Sequence, residues 1–245
     1  AVMVGAGAVS LGCAAMLGSS WSLSATVWGV VCGLMWTGGQ VFVLWAFRAW
    51  GVSRTMPLTT ALQLLLNATL GVSLFGEWRA PGALILGVVA LALIMLGAAA
   101  CSWQERTDPG PTAAQRRAGL LATAASAVLY GSYPSLLRAV EVPPAHAVGP
   151  MGLGLLAGAG LCALILPRRA PLRGPRIVPA ALAGGLWAVG NALMLRSTAA
   201  VGVASGFTLS QLGFVLATLG GLTILGEERT GRERTAVAAG VAAAV

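Results

Sequence analysis

Residues 33–78 read GLMWTGGQVFVLWAFRAWGVSRTMPLTTALQLLLNATLGVSLFGEW, and the stretch returns in altered form 151 positions later, over 184–228. At that offset, without gaps, Gly33 meets Gly184, Trp36 meets Trp187, Gly39 meets Gly190, Leu44 meets Leu195, Gly51 meets Gly202, Val52 meets Val203, Leu58 meets Leu209 and Glu77 meets Glu228. Gln40 meets the similar Asn191. An apolar chain coincides with itself by chance on Ala, Leu and Val, so the weight rests on the tryptophans, the Gly-Val corner and the amide position. The chain therefore contains an internal repeat, and that repeat constrains every later step.

Apolar residues make up 57% of the sequence and charged residues 9%, far below the quarter usual in soluble domains. Apolar runs of about 20 residues match the length of helix needed to cross a hydrocarbon core. They lack the polar face that a helix in a soluble bundle presents to water. The composition thus defines an all-α integral membrane protein. All 15 basic residues are arginines, and they flank the apolar runs. That placement excludes a nucleic-acid-binding stripe and fits membrane topology. Cys13, Cys32, Cys101 and Cys162 lie inside apolar runs without metal-ligand spacing, so they read as small buried residues, with no metal and no cofactor expected.

The apolar pattern predicts helices over 2–18, 27–48, 56–76, 81–102, 117–138, 146–166, 178–198 and 203–226, with a last run from 234. Equivalent helices of the two copies are separated by four others, so the copies cross the membrane in opposite senses. Two inverted five-helix halves follow, the architecture in which one half rocks against the other around a central site. The first repeat is expected over 1–103, a connecting loop over 104–116 and the second repeat over 117–245. The same register predicts a helix before residue 1 and a last helix continuing past 245. On that expectation the chain is a fragment of a ten-helix transporter that lacks the first helix and part of the last. Twelve arginines fall in the loops of one face and only Arg79, Arg138 and Arg196 on the other, which places the first face in the cytoplasm.

Six segments carry a further signal: WTGGQ (36–40), GVSRTMPLTTALQL (51–64), FGEW (75–78), GLWAVGN (185–191), GVASGFTLSQLGFVLATLGG (202–221) and LGEE (225–228). Together they resemble the bacterial glucose/ribose porter family, the glucose uptake proteins of the drug/metabolite transporter superfamily. The resemblance is dense over 33–78 and 184–228 and thin elsewhere. It implies ten helices in two inverted halves, a multi-pass place in the bacterial cell membrane, and carbohydrate uptake of a monosaccharide such as glucose, with a proton to be considered as coupling ion. Families of this kind are assigned cytoplasmic termini, whereas the arginine count puts the ends of the complete chain outside.

For such a substrate the site must replace, in a dry place, the water that sugar hydroxyls lose. Neutral amides, hydroxyls and aromatic faces suit that task. Trp36 and Gln40, Gln63 and Asn67, and Trp187 and Asn191 each share a helix face at a spacing of four. Thr59, Thr60, Ser210 and Gln211 add hydroxyls and an amide after the Gly-Val corners, and Ser126, Tyr130 and Tyr133 form one stripe. Trp36, Gln40, Gln63, Asn67, Trp187, Asn191 and Gln211 are expected to line one cavity between the halves. The competing reading is that these groups hydrogen-bond neighbouring helices as packing glue, and that Tyr130 and Tyr133 mark an interfacial belt. Gly29 with Gly33, and Gly154 with Gly158, are spaced for close helix contact. Pro57 is expected at the start of a helix, where proline is tolerated. Glu77, Glu227 and Glu228 are the candidate coupling carboxylates, against a plainer reading as solvated charges at helix ends. No acidic residue sits mid-membrane, so the residues themselves do not argue for proton coupling.

The expectation is therefore a secondary carrier of a small neutral polar solute, a sugar first. The alternatives are a drug or metabolite exporter of the same superfamily, for which a cationic substrate would want a central carboxylate, and a membrane protein that transports nothing. A membrane-embedded enzyme would need a nucleophile, base or metal cluster, which one histidine and scattered cysteines do not supply.

Overall fold

The computed structural model describes residues 1–16, 18, 20–101, 103, 112–165, 174–175, 177–212 and 230–244, without the side chains of residues 53, 54, 57 and 244. These form α1 (Val2–Met16), α2 (Leu23–Trp50), α3 (Val52–Phe75), α4 (Ala83–Cys101), α5 (Ala113–Ala139), α6 (Pro144–Ile165), α7 (Ile177–Val201), α8 (Val203–Gln211) and α9 (Gly231–Ala244). Among the described residues there is no strand. Six of the helices (α2 to α7) are long and apolar enough to cross a membrane. Their outward faces are apolar: on α4, Ile85 is 70% and Leu86 71% exposed, a surface that lipid satisfies and water would not.

Several helices start earlier than the apolar pattern alone predicts, and at α2, α5 and α9 a polar cap explains it. On α2 the Ser22 hydroxyl accepts the Ala25 N–H at 3.1 Å, so the helix begins at Leu23 and not near 27. At α5, Thr112 and Gln115 form a reciprocal capping box, Thr112 N–H to Gln115 Oε1 at 2.9 Å and Gln115 N–H to Thr112 Oγ1 at 3.3 Å. Thr230 and Glu233 repeat the device at α9, at 3.1 and 3.3 Å. Each box satisfies two of the N–H groups that a helix start leaves without partners. At α6, Pro144 takes the first helical position, where its missing N–H costs nothing. Because α3 begins at Val52, Pro57 lies in its second turn instead of at its start. Helix α8 is described as far as Gln211, with Leu212 as its C-cap, and residues 213–226 of the expected run lie outside the described residues.

The chain divides into two compact units, one of residues 1–40 and 132–201 and the other of 41–131 and 202–245. Both α2 and α5 contribute to each. In the first unit α1 packs against α6 and α7, and α6 against α7. There the paired glycines do what their spacing predicts. A Cβ on Gly33 would stand 2.8 Å from the Gly154 Cα, and one on Gly154 would stand 3.0 Å from the Gly33 Cα, so α2 and α6 meet backbone to backbone. In the second unit α3 packs on α4 and α8, and α9 on α4.

Candidate functional site

In the first unit, α2 and α7 bring the repeat-related tryptophans together: the ring centroids of Trp36 and Trp187 lie 4.2 Å apart, with planes inclined at 40°. One turn further along α7 the Asn191 amide is buried and hydrogen-bonded at both its oxygen and its nitrogen. Its Oδ1 accepts the Tyr133 hydroxyl at 2.6 Å, and its Nδ2 donates to the Met151 sulfur at 3.4 Å. The Cys32 thiol donates to the Tyr133 carbonyl at 3.7 Å. The group is uncharged, with two indole faces, a phenol and an amide in one region. Gln40 ends this unit on α2, one turn beyond Trp36 and half-buried.

In the second unit, Thr60, Gln63 and Asn67 follow one another along α3. Asn67 is 0% exposed and donates to the Gln63 carbonyl at 3.0 Å. Gly131 of α5 lies over this turn: a Cβ there would stand 3.3 Å from Asn67 Nδ2 and 3.4 Å from Gln63 Cα. Tyr130 precedes it, half-buried. On α8, Ser210 is exposed and donates to the Phe207 carbonyl at 2.6 Å, while Gln211 Nε2 donates to Ser210 Oγ at 3.3 Å. The seven residues expected around one cavity therefore fall in two units, Trp36, Gln40, Trp187 and Asn191 in the first and Gln63, Asn67 and Gln211 in the second; of the other candidates, Tyr133 lies in the first and Thr60, Tyr130 and Ser210 in the second.

Glu77 has a role that neither sequence reading named. Helix α3 is capped at its C-terminus by Gly76, whose φ of 63° is left-handed, and the next residue turns its carboxylate onto the start of α8. There Val203 N–H donates to Oε1 at 2.7 Å and Ala204 N–H to Oε2 at 2.8 Å. The N-cap of α8 is Gly202, which has no side chain with which to cap. Glu77 supplies both the acceptors and the negative charge that a helix N-terminus favours. Trp78 then donates its indole N–H to Ser205 at 3.1 Å. The FGEW and GVAS motifs are thus two sides of one junction. The signal available in the sequence was a glycine at the N-cap of a helix needing an acceptor from elsewhere. Glu227 and Glu228 lie outside the described residues.

These features define a multi-pass helical membrane protein with an uncharged, aromatic-walled polar cluster between its spans. The family model described as "Sugar transport protein" matches residues 1–245, and the chain belongs to that family. It is 35% identical over 221 residues to "Glucose uptake protein GlcU" of Bacillus subtilis, covering 90% of this chain and 76% of that one. With "Probable glucose uptake protein GlcU" of Bacillus cereus it shares 36% identity over 217 residues, 87% of this chain and 73% of the other. One crystal structure at 21% identity covers 100% of this chain and 85% of its own with a TM-score of 0.66, a likeness of fold alone. The resemblance carried by the six motifs is a family relationship. Its relatives are bacterial, and the six long spans place the protein in the bacterial plasma membrane.

Proposed function

We propose that this protein is a secondary carrier that takes up a monosaccharide, glucose first, by alternating access of two inverted five-helix repeats. The observation that carries the reading is the Trp36–Trp187 contact with the Tyr133–Asn191 hydrogen bond one turn away on α7. Two indole faces can cover the apolar face of a pyranose ring, while an amide and a phenol meet its hydroxyls without charge. The names of the relatives favour the same substrate class. Trp36 and Trp187 also occupy equivalent positions of the repeat, so their contact is of the kind a pseudo-two-fold axis would make. In this reading Gln40, Thr60, Gln63, Asn67, Tyr130, Ser210 and Gln211 supply further polar contacts along the path. Proton coupling through Glu77, Glu227 or Glu228 belongs to the proposal as its coupling arm, although Glu77 also caps α8. Uptake of labelled glucose into vesicles bearing the full-length protein, with and without an uncoupler, tests both parts. No uptake above protein-free vesicles sinks the carrier assignment, and uptake indifferent to the uncoupler sinks the coupling.

A further inference from the structure

Resting on the sugar-uptake reading, we propose that the Thr59 hydroxyl on α3 is a substrate contact, hydrogen-bonding one hydroxyl of the sugar. Among the described residues it is the only buried side-chain nitrogen or oxygen with no hydrogen-bond partner, and Thr59 is 3% exposed. The comparison with other threonines makes this informative. Buried Thr37, Thr55, Thr123, Thr198 and Thr208 all give their hydroxyls to a backbone carbonyl one turn back, at 2.6–3.0 Å. That bond is the ordinary way for a helical threonine to be satisfied inside a membrane, and Thr59 does not make it. A buried hydroxyl left open costs stability, so it calls for an occupant.

Its surroundings on α3 say what kind. Thr59, Thr60, Gln63 and Asn67 fall within an arc of about 100° on one helix. Thr59 is within about 7 Å of the midpoint of α3 along its axis, well inside a hydrocarbon core. Charge is absent from that stripe, which fits a neutral polyol and not an ion. The repeat sharpens the assignment. The equivalent of Thr59 is Ser210, which is exposed and already donates to the Phe207 carbonyl. The two repeats are therefore unequal, and the open hydroxyl belongs to the first.

The test uses the full-length protein in vesicles and compares the parent, Thr59→Val, which keeps the branched shape without the hydroxyl, and Thr59→Ser, which keeps the hydroxyl. Thr59→Val should raise KM for glucose about two- to tenfold, the worth of one neutral hydrogen bond, and Thr59→Ser should restore most of it. Across a set of monodeoxyglucoses, one sugar should be carried with the same KM by the parent and Thr59→Val, because the hydroxyl that Thr59 meets is already missing. An unchanged KM for glucose, or an equal rise for every deoxy sugar, overturns the assignment. If the parent carries no glucose, the functional reading falls, and heat stability without substrate then judges the hydroxyl. Thr59→Val as stable as the parent or more so fits an open hydroxyl awaiting a ligand, whereas a lowered Tm shows a structural partner and overturns the proposal.

Discussion

Gly51 and Gly202, 151 residues apart, adopt one backbone conformation: φ 95° and ψ 159° at the first, φ 94° and ψ 162° at the second. Each is the N-cap of the helix that follows it, in a region of φ and ψ that only glycine occupies readily. The repeat seen in the letters is thus also a repeat of local geometry.

The two corners should nonetheless respond differently to alanine. Around Gly51 a Cβ would meet nothing within 4 Å, whereas at Gly202 it would stand 2.6 Å from the Glu77 carboxyl carbon. Gly51→Ala should cost the backbone strain alone, about 1–3 kcal/mol. Gly202→Ala should cost more, because the Glu77 cap must also move. Thermal unfolding of the two purified variants, side by side, reads the difference; equal losses would contradict the described junction.

Removing the Glu77 carboxylate should destabilise the α3–α8 junction in graded steps. Glu77→Gln keeps one good acceptor oxygen and loses the charge, and should cost about 1 kcal/mol. Glu77→Ala leaves the Val203 and Ala204 N–H groups without that acceptor and should cost about 2–3 kcal/mol. Unfolding midpoints that are indistinguishable across the parent and both variants would show the cap to be dispensable.

Tyr133 and Asn191 should behave as one energetic unit. Tyr133→Phe leaves the Asn191 Oδ1 without its 2.6 Å donor, and Asn191→Leu leaves the Tyr133 hydroxyl without its acceptor. Each alone should cost about 1–3 kcal/mol. The double variant should cost less than the sum by roughly 0.5–3 kcal/mol. A double-mutant cycle of stability that closes additively would mean the bond contributes nothing.

The membrane class and the apolar spans were legible because they rest on local patterning. The glycine pairs were legible too, since Gly33 and Gly154 act through the spacing of small residues on their own helices. The helix starts were harder. Thr112 with Gln115, and Thr230 with Glu233, carry the capping-box spacing, yet the first lies in an arginine-rich stretch that reads as a connecting loop. Glu77 shows a different limit. Its partners are backbone N–H groups 126 and 127 residues away, and no side-chain pattern marks a backbone donor. The Trp36–Trp187 contact lay within reach of the repeat alignment, but equivalence by sequence says nothing of proximity. Why Asn191 chooses Tyr133 over another partner depends on how α5 packs beside α7, which spacing along one helix does not encode.

The central claim is tested most directly by uptake of labelled D-glucose into sealed vesicles carrying the full-length protein, with protein-free vesicles as reference. The account predicts saturable uptake that unlabelled D-glucose suppresses and that Trp36→Ala with Trp187→Ala abolishes or weakens while the protein still reaches the membrane. Folded protein in sealed vesicles that admits no D-glucose above the reference would contradict it.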